Sequence, residues 1–139
     1  MILDANLLLY AQDSSAPRHA VALEFVTTAL NGPTRVGLPW ISLLGFLRIR
    51  TNPRIYETPL PMTLAWQQVA EWVAAPAAWI VNPTDRHAEV MAQLIDGKDL
   101  SSGLVTDAHL AALAIEYGVA VASADSDFAR FPCHWINPF

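Results

Sequence analysis

The sequence predicts an α/β fold in which a mainly parallel sheet is covered by helices on both faces. Short apolar runs alternate with stretches of helical spacing along the whole chain, and no tight hairpin turn joins two of those runs. Of the 139 residues, 53% are hydrophobic and 15% charged, which excludes a disordered chain and suits one core. A single domain over residues 1–139 is therefore expected.

Residues 1–3 form the first expected strand, stopped by Asp4. Ala20, Leu23, Val26, Thr27 and Leu30 recur at helical spacing within 16–30, and Asn31-Gly32-Pro33 ends that helix. A second strand covers 35–38. Pro39 opens a helix over about 40–50, and Pro53 closes it because proline disfavours α geometry in the residue before it.

Thr63 is the expected N-cap of a helix to about Ala75, and 79–81 reads as a third strand. Thr84 starts a helix reaching about Ile95, followed by a polar, loop-like stretch over 96–103. The helix from 104 or 105 to 117 stops at Gly118, a favourable residue just past a helix end. Residues 119–122 form a fourth strand, 125–130 a turn or short helix, and Trp135-Ile136 an edge strand.

The formal net charge of −5 argues against generic, charge-driven binding of nucleic acid. Distribution matters more than the sum: Arg48, Arg50 and Arg54, three of the eight basic residues, fall within seven positions. One cysteine, Cys133, excludes an internal disulfide and a cysteine-built zinc site. No signal peptide and no membrane-spanning run is read, so the expected location is the cytoplasm. The apolar excess fits either a face that meets a partner chain or an alanine-rich surface.

In open parallel sheets, ligands collect beyond the carboxyl ends of the strands. Asp4 follows the first strand, Asp125 and Asp127 follow the fourth, and Asp107 begins a helix. Each has a plain structural explanation when taken alone. Asp4 could cap a helix, Asp107 could answer a helix dipole, and Asp125 with Asp127 could form a solvated turn. Taken together at matching strand ends, they suggest a cluster of acids. Such carboxylates raise one another's pKa unless a cation neutralises them. With no cysteine and little histidine nearby, Mg²⁺ or Mn²⁺ fits better than zinc, and either can activate water against a phosphodiester.

The chain resembles the PIN-domain ribonucleases, and among them the VapC toxins of type II toxin–antitoxin systems. The resemblance rests on Leu-Asp-x-Asn-x-Leu-Leu at 3–9, on Pro-Trp-x-x-Leu-Leu-x-Phe-Leu-Arg-x-x-Thr-Asn-Pro-Arg at 39–54, on Asp107-Ala108-His109-Leu110-Ala111-Ala112-Leu113-Ala114, and on Asp125-x-Asp127-Phe128-Ala129-Arg130-Phe131. It implies a PIN-like three-layer fold and metal-assisted hydrolysis of RNA. Asp4, Asp107 and Asp125 would hold the metal, Asp127 would be a fourth acid, and Asn6 and Ser123 would be supporting polar groups. The resemblance also implies a homodimer and a VapB-like antitoxin partner. It does not choose between transfer and ribosomal RNA.

At one position the sequence departs from the pattern. The family places a glutamate in the helix over 40–50, where this chain has Gly45 and no acid between Leu43 and Leu47. Glycine within a helix costs about 0.5–1 kcal/mol relative to alanine. Gly45 reads as an inactivating replacement, engineered or selected, as a natural variation, or as the mark of a close helix crossing. Two rivals follow: a module of the same fold that binds antitoxin or RNA without cleaving, and a hydrolase of small phosphoesters.

Arg48, Arg50 and Arg54 are candidate RNA contacts, although 48 and 50 cannot share a helix face. His109 turns about 200° from Asp107 and reads as structural. Glu24 and Glu116 read as solvated helix faces. The five tryptophans, Trp40, Trp66, Trp72, Trp79 and Trp135, read as core or interface packing rather than base-stacking platforms.

Overall fold

The structure is a computed structural model that describes residues 1–96 and 98–139. The described residues form five two-residue strands: β1 (Ile2–Leu3), β2 (Val36–Gly37), β3 (Ala78–Trp79), β4 (Val121–Ala122) and β5 (Trp135–Ile136). They lie in the order β3-β2-β1-β4-β5, and every pairing is parallel. Six helices connect and cover them: α1 (Ala5–Gln12), α2 (His19–Leu30), α3 (Trp40–Arg50), α4 (Met62–Val73), α5 (His87–Ile95) and α6 (Val105–Tyr117).

Period-two alternation on the central strand divides the core in two. Leu3 points into one apolar layer with Leu7, Val26, Phe46 and Trp72, while Ile2 joins Val90, Leu94, Leu113 and Phe128 on the other side. Both β1 residues are fully buried, as a strand covered on both faces requires. This is the expected three-layer architecture. β5 takes an edge of the sheet, as its sequence suggests.

The order of strands places the site. From β1 the sheet grows to β2 and β3 on one side and to β4 and β5 on the other, so the direction of winding reverses between β1 and β4. A crevice opens beyond the carboxyl ends of the strands at such a switch point. The register Leu3↔Ala122 sets Asp4 and Ser123, the next residues, level with each other across it.

Several boundaries differ from the sequence reading. Residues 5–12, not anticipated as an element, form α1: Leu7, Leu8 and Ala11 are buried, and the helix packs on α2 and α3. A run of three leucines carries no helical period, so packing reveals this helix where pattern does not. The following helix starts at His19 rather than 16. Asp13 accepts hydrogen bonds from the Ser15 backbone and hydroxyl, and its carbonyl accepts from the Ala16 N–H, which makes a turn first. α5 begins at His87, and the side chain of Thr84 is engaged elsewhere. The loop expected at 96–103 includes Gly97, which lies outside the described residues; Ser102–Leu104 is a short 3-10 turn leading into α6.

Candidate active site

Asp4 occupies the N-cap position of α1 with extended backbone, but its side chain makes no capping hydrogen bond. It turns instead into the crevice. Asp4 Oδ2 accepts from Asn6 Nδ2 at 2.8 Å and from the Ser123 hydroxyl at 2.7 Å. Asn6 Nδ2 also donates to Ser123 Oγ at 2.9 Å, and Asn6 Oδ1 accepts from the Ala124 N–H at 3.1 Å, which fixes the orientation of the amide. Ser123 Oγ further accepts from the Asp125 N–H at 3.0 Å. One small network thus ties the end of β1 to the end of β4.

The Trp135 indole donates to the Ser123 carbonyl at 2.9 Å and braces the same strand end from β5. Its regular placement near apolar residues gave no sign of this bond. Asp125 begins the turn after β4, and its Oδ1 accepts from the Asp127 N–H at 2.9 Å. Asp127 lies in a loose, exposed ion pair with Arg130 at 3.8 Å, a contact of small energetic weight.

Asp107 sits in the first turn of α6. Its carboxyl is pushed up to about 6, first by burial and then by the negative charges of Asp4, Asp125 and Asp127. Asp4 is raised as well, chiefly by burial, with Asp125 adding to it and the Ser123 hydroxyl opposing it. The structure therefore brings Asp4, Asp125 and Asp127 within electrostatic reach of Asp107, and Asp125 within reach of Asp4. Among the described residues, no group of three or more His, Cys, Asp or Glu side chains has the geometry to hold a metal ion.

Gly45 does face this site. It lines, with Asp4, Asn6, Ser42 and Arg48, a cleft of about 350 Å³ between α1, α3 and α6. A Cβ at Gly45 would lie 3.2 Å from the Ala5 Cβ, tighter than ordinary contact, so the missing side chain lets α3 approach α1. Of the three arginines, only Arg48 lines the cleft. Arg50 is held by the Gln12 side chain, the Thr58 carbonyl and the Tyr56 ring, while Arg54 is exposed on the turn that follows α3. Thr106 also reaches the cleft, although nothing in its sequence neighbourhood marks it.

His109 is structural in its contacts, as its angular offset suggests. Its Nδ1 shares a 2.9 Å hydrogen bond with His87 Nε2, and His87 Nδ1 meets Glu116 Oε2 at 2.6 Å. Glu116 corrects the expectation of a solvated face. Its side chain has no exposed surface, and Oε1 accepts from the Thr84 backbone and hydroxyl. These bonds with Thr84 and His87 hold the carboxyl below its usual range against the effect of burial. Trp40 and Trp66 stack on each other at half exposure and are not core residues, whereas Trp72 is buried edge-on against Phe46.

An open parallel sheet with carboxylates gathered at its switch point defines a class, and a model of the PIN domain matches residues 1–132: the chain belongs to the PIN-domain family. Its relatives there are VapC ribonucleases. It is 45% identical over 138 residues to ribonuclease VapC37 of Mycobacterium tuberculosis, covering 99% of this chain and 96% of that one. It is 40% identical over 139 residues to ribonuclease VapC33 of the same species, covering 99% and 97%. Solved structures share the fold at low identity. FitAcB from Neisseria gonorrhoeae matches with a TM-score of 0.66 at 17% identity, over 99% of this chain and 96% of that one. VapC20 of Mycobacterium tuberculosis, a sarcin-ricin loop cleaving toxin, also gives 0.66 at 15% identity, over 92% of each chain.

Proposed function

We propose that this chain is a cytoplasmic, metal-dependent endoribonuclease toxin, acting as one PIN-like domain over residues 1–139. The observation that carries the reading is the electrostatic reach of Asp4, Asp125 and Asp127 to Asp107, whose carboxyl is pushed up to about 6 by burial and by their charge. The donors are all carboxylate oxygens, and their mutual repulsion is what a hard divalent cation relieves. They fit Mg²⁺ or Mn²⁺.

Asp4, Asp107 and Asp125 would hold the ion. When bound, it would supply an activated water and neutralise charge developing on the phosphate. Asn6 and Ser123 hold the Asp4 carboxylate in one orientation, so it need not be ordered when the ion arrives. Asp127 adds negative charge beside Asp125, and Arg48 meets a phosphate entering along the cleft. Arg50, already committed to Gln12, Thr58 and Tyr56, is not assigned that role.

The direct test is cleavage of transfer and ribosomal RNA with Mn²⁺, with chelator as control and a generic phosphomonoester as alternative substrate. Cleavage of RNA alone, lost in chelator, is expected. Hydrolysis of the phosphomonoester without RNA cleavage would replace this reading with that of a small-phosphoester hydrolase.

Ion binding has a pH signature. Without a cation, the raised folded pKa of Asp107 contributes stability that is fully present below its ordinary value of 3.8 and is lost as pH rises through about 6. A bound ion replaces the proton. Mn²⁺ should therefore raise the melting temperature more at pH 7.5 than at pH 5.5. An equal or larger rise at pH 5.5, followed by scanning calorimetry, would contradict the carboxylate site.

Gly45 motivates the rival of a module that binds without cleaving. Its contact with Ala5 supports a packing role instead. The unmodified chain is thus expected to cleave, and Gly45→Glu to gain nothing. Activity that appears only in Gly45→Glu would establish the inactivated reading. A VapB-like antitoxin and a second copy of this chain are the expected protein partners. The likeness to FitAcB and to VapBC2 from Rickettsia felis supports the antitoxin, and the exposed Trp40, Leu44, Met62 and Trp66 supply apolar surface for a protein partner.

A further inference from the structure

Ser42 Oγ is, among the described residues, the one buried side-chain polar atom with no hydrogen-bond partner. The residue is 2% exposed and lies in the first turn of α3. Leaving a hydroxyl buried and unpaired is costly, and such groups are uncommon in folded chains. Ser42 lines the cleft beside Asp4, and so does Gly45, one helical turn further along the same face.

Leu9 from α1, Ile41, Leu44 and Ile49 from α3, and Leu110 from α6 make much of the cleft's wall apolar, beside the polar Asn6, Arg48 and Thr106. Asp4 is itself a wall, so an occupant lies directly against the proposed reacting centre. Its volume, about 350 Å³, is near the lower limit for small-ligand sites, which suits one planar group rather than a folded element. A nucleobase matches these features. It has apolar faces, a polar edge that pairs with a hydroxyl acting as donor or acceptor, and a linked phosphate for Arg48.

Building on the ribonuclease reading above, we propose that this cleft is the subsite for one base of single-stranded RNA next to the scissile phosphate. In that subsite Ser42 Oγ hydrogen-bonds the base edge, and Gly45 leaves the room that the base occupies. Gly45 is then the residue that admits substrate, in addition to the one that permits the α1–α3 crossing.

The test measures binding, so it does not depend on cleavage. Short labelled single-stranded oligoribonucleotides are titrated against the full chain in Ca²⁺, which neutralises the carboxylates, and compared with oligonucleotides made abasic at one position at a time. One abasic position should weaken binding about tenfold. Ser42→Ala should weaken binding of the intact oligonucleotide about fivefold and flatten any preference among the four bases, with a melting temperature unchanged or raised. Gly45→Val should make intact and abasic oligonucleotides bind alike.

Base-dependent binding without cleavage would sustain the subsite while the nuclease reading fails. Affinity indifferent to every abasic position, or to Ser42→Ala, would overturn the subsite even if the chain cleaves RNA. So would a Gly45→Val chain that binds RNA normally but no longer binds a protein partner, since the cleft would then belong to a peptide. Ser42→Ala only removes an orphaned hydroxyl, so it reads out the proposal even if Gly45→Val folds poorly.

Discussion

Replacing Asp4 by asparagine should lower RNA cleavage on the order of 10³-fold while leaving the protein folded and at least as stable. The loss follows from removing the charge that would face the ion at the end of β1. An effect of several kcal/mol on the transition state corresponds to that factor. Stability moves the other way. Asp4 is 9% exposed, and burial raises its carboxyl pKa, so the charged form is unfavourable in the folded state. Asparagine keeps the shape and can still accept from Ser123 through its amide oxygen. Activity within tenfold of the unmodified chain, or a lowered melting temperature, would remove Asp4 from the centre of the site.

Phe46→Ala should destabilise the fold by about 3–5 kcal/mol, the usual cost of emptying a buried aromatic site. Phe46 is fully buried on α3, and its ring meets Trp72 edge-on with centroids 4.8 Å apart. It holds α3 to α4, so the collapse needed to refill the space would pull α3 away from its contact with α1. That is the helix carrying Ser42, Gly45 and Arg48 past Asp4. Urea unfolding measures the loss, and a change under about 1 kcal/mol would mean that the two layers repack freely. Metal binding should weaken less than stability, because Asp107 and Asp125 sit on the other half of the fold.

The difference between these two substitutions separates function from scaffold. Asp4 costs the folded state something and is retained where the chemistry needs it. Phe46 contributes to the folded state and touches no ligand. Stability and activity commonly oppose each other in this way at charged, partly buried sites.

The sequence shows the acids because each sits at a recognisable boundary: the end of an apolar run, the first turn of a helix, or the turn after a strand. It shows the strand order less well, since two-residue strands carry little pattern. α1 is not legible in the sequence because Leu7-Leu8-Leu9 has no period. Glu116 looked like a surface acid because nothing in its neighbourhood along the chain announces Thr84 and His87, 32 and 29 positions away. Gly45 posed a question that local propensity could raise and only the helix crossing could address.

By itself, then, the sequence determined the fold class, the candidate acids and the position where the expected glutamate is missing, because those follow from local periodicity and strand ends. Only the tertiary structure decided that Asp4 meets Ser123 across 119 positions, that Gly45 rests against Ala5, and that Ser42 is left without a partner. Such contacts join residues remote in the chain. Their existence depends on how layers pack to close density, and no window of sequence contains that information.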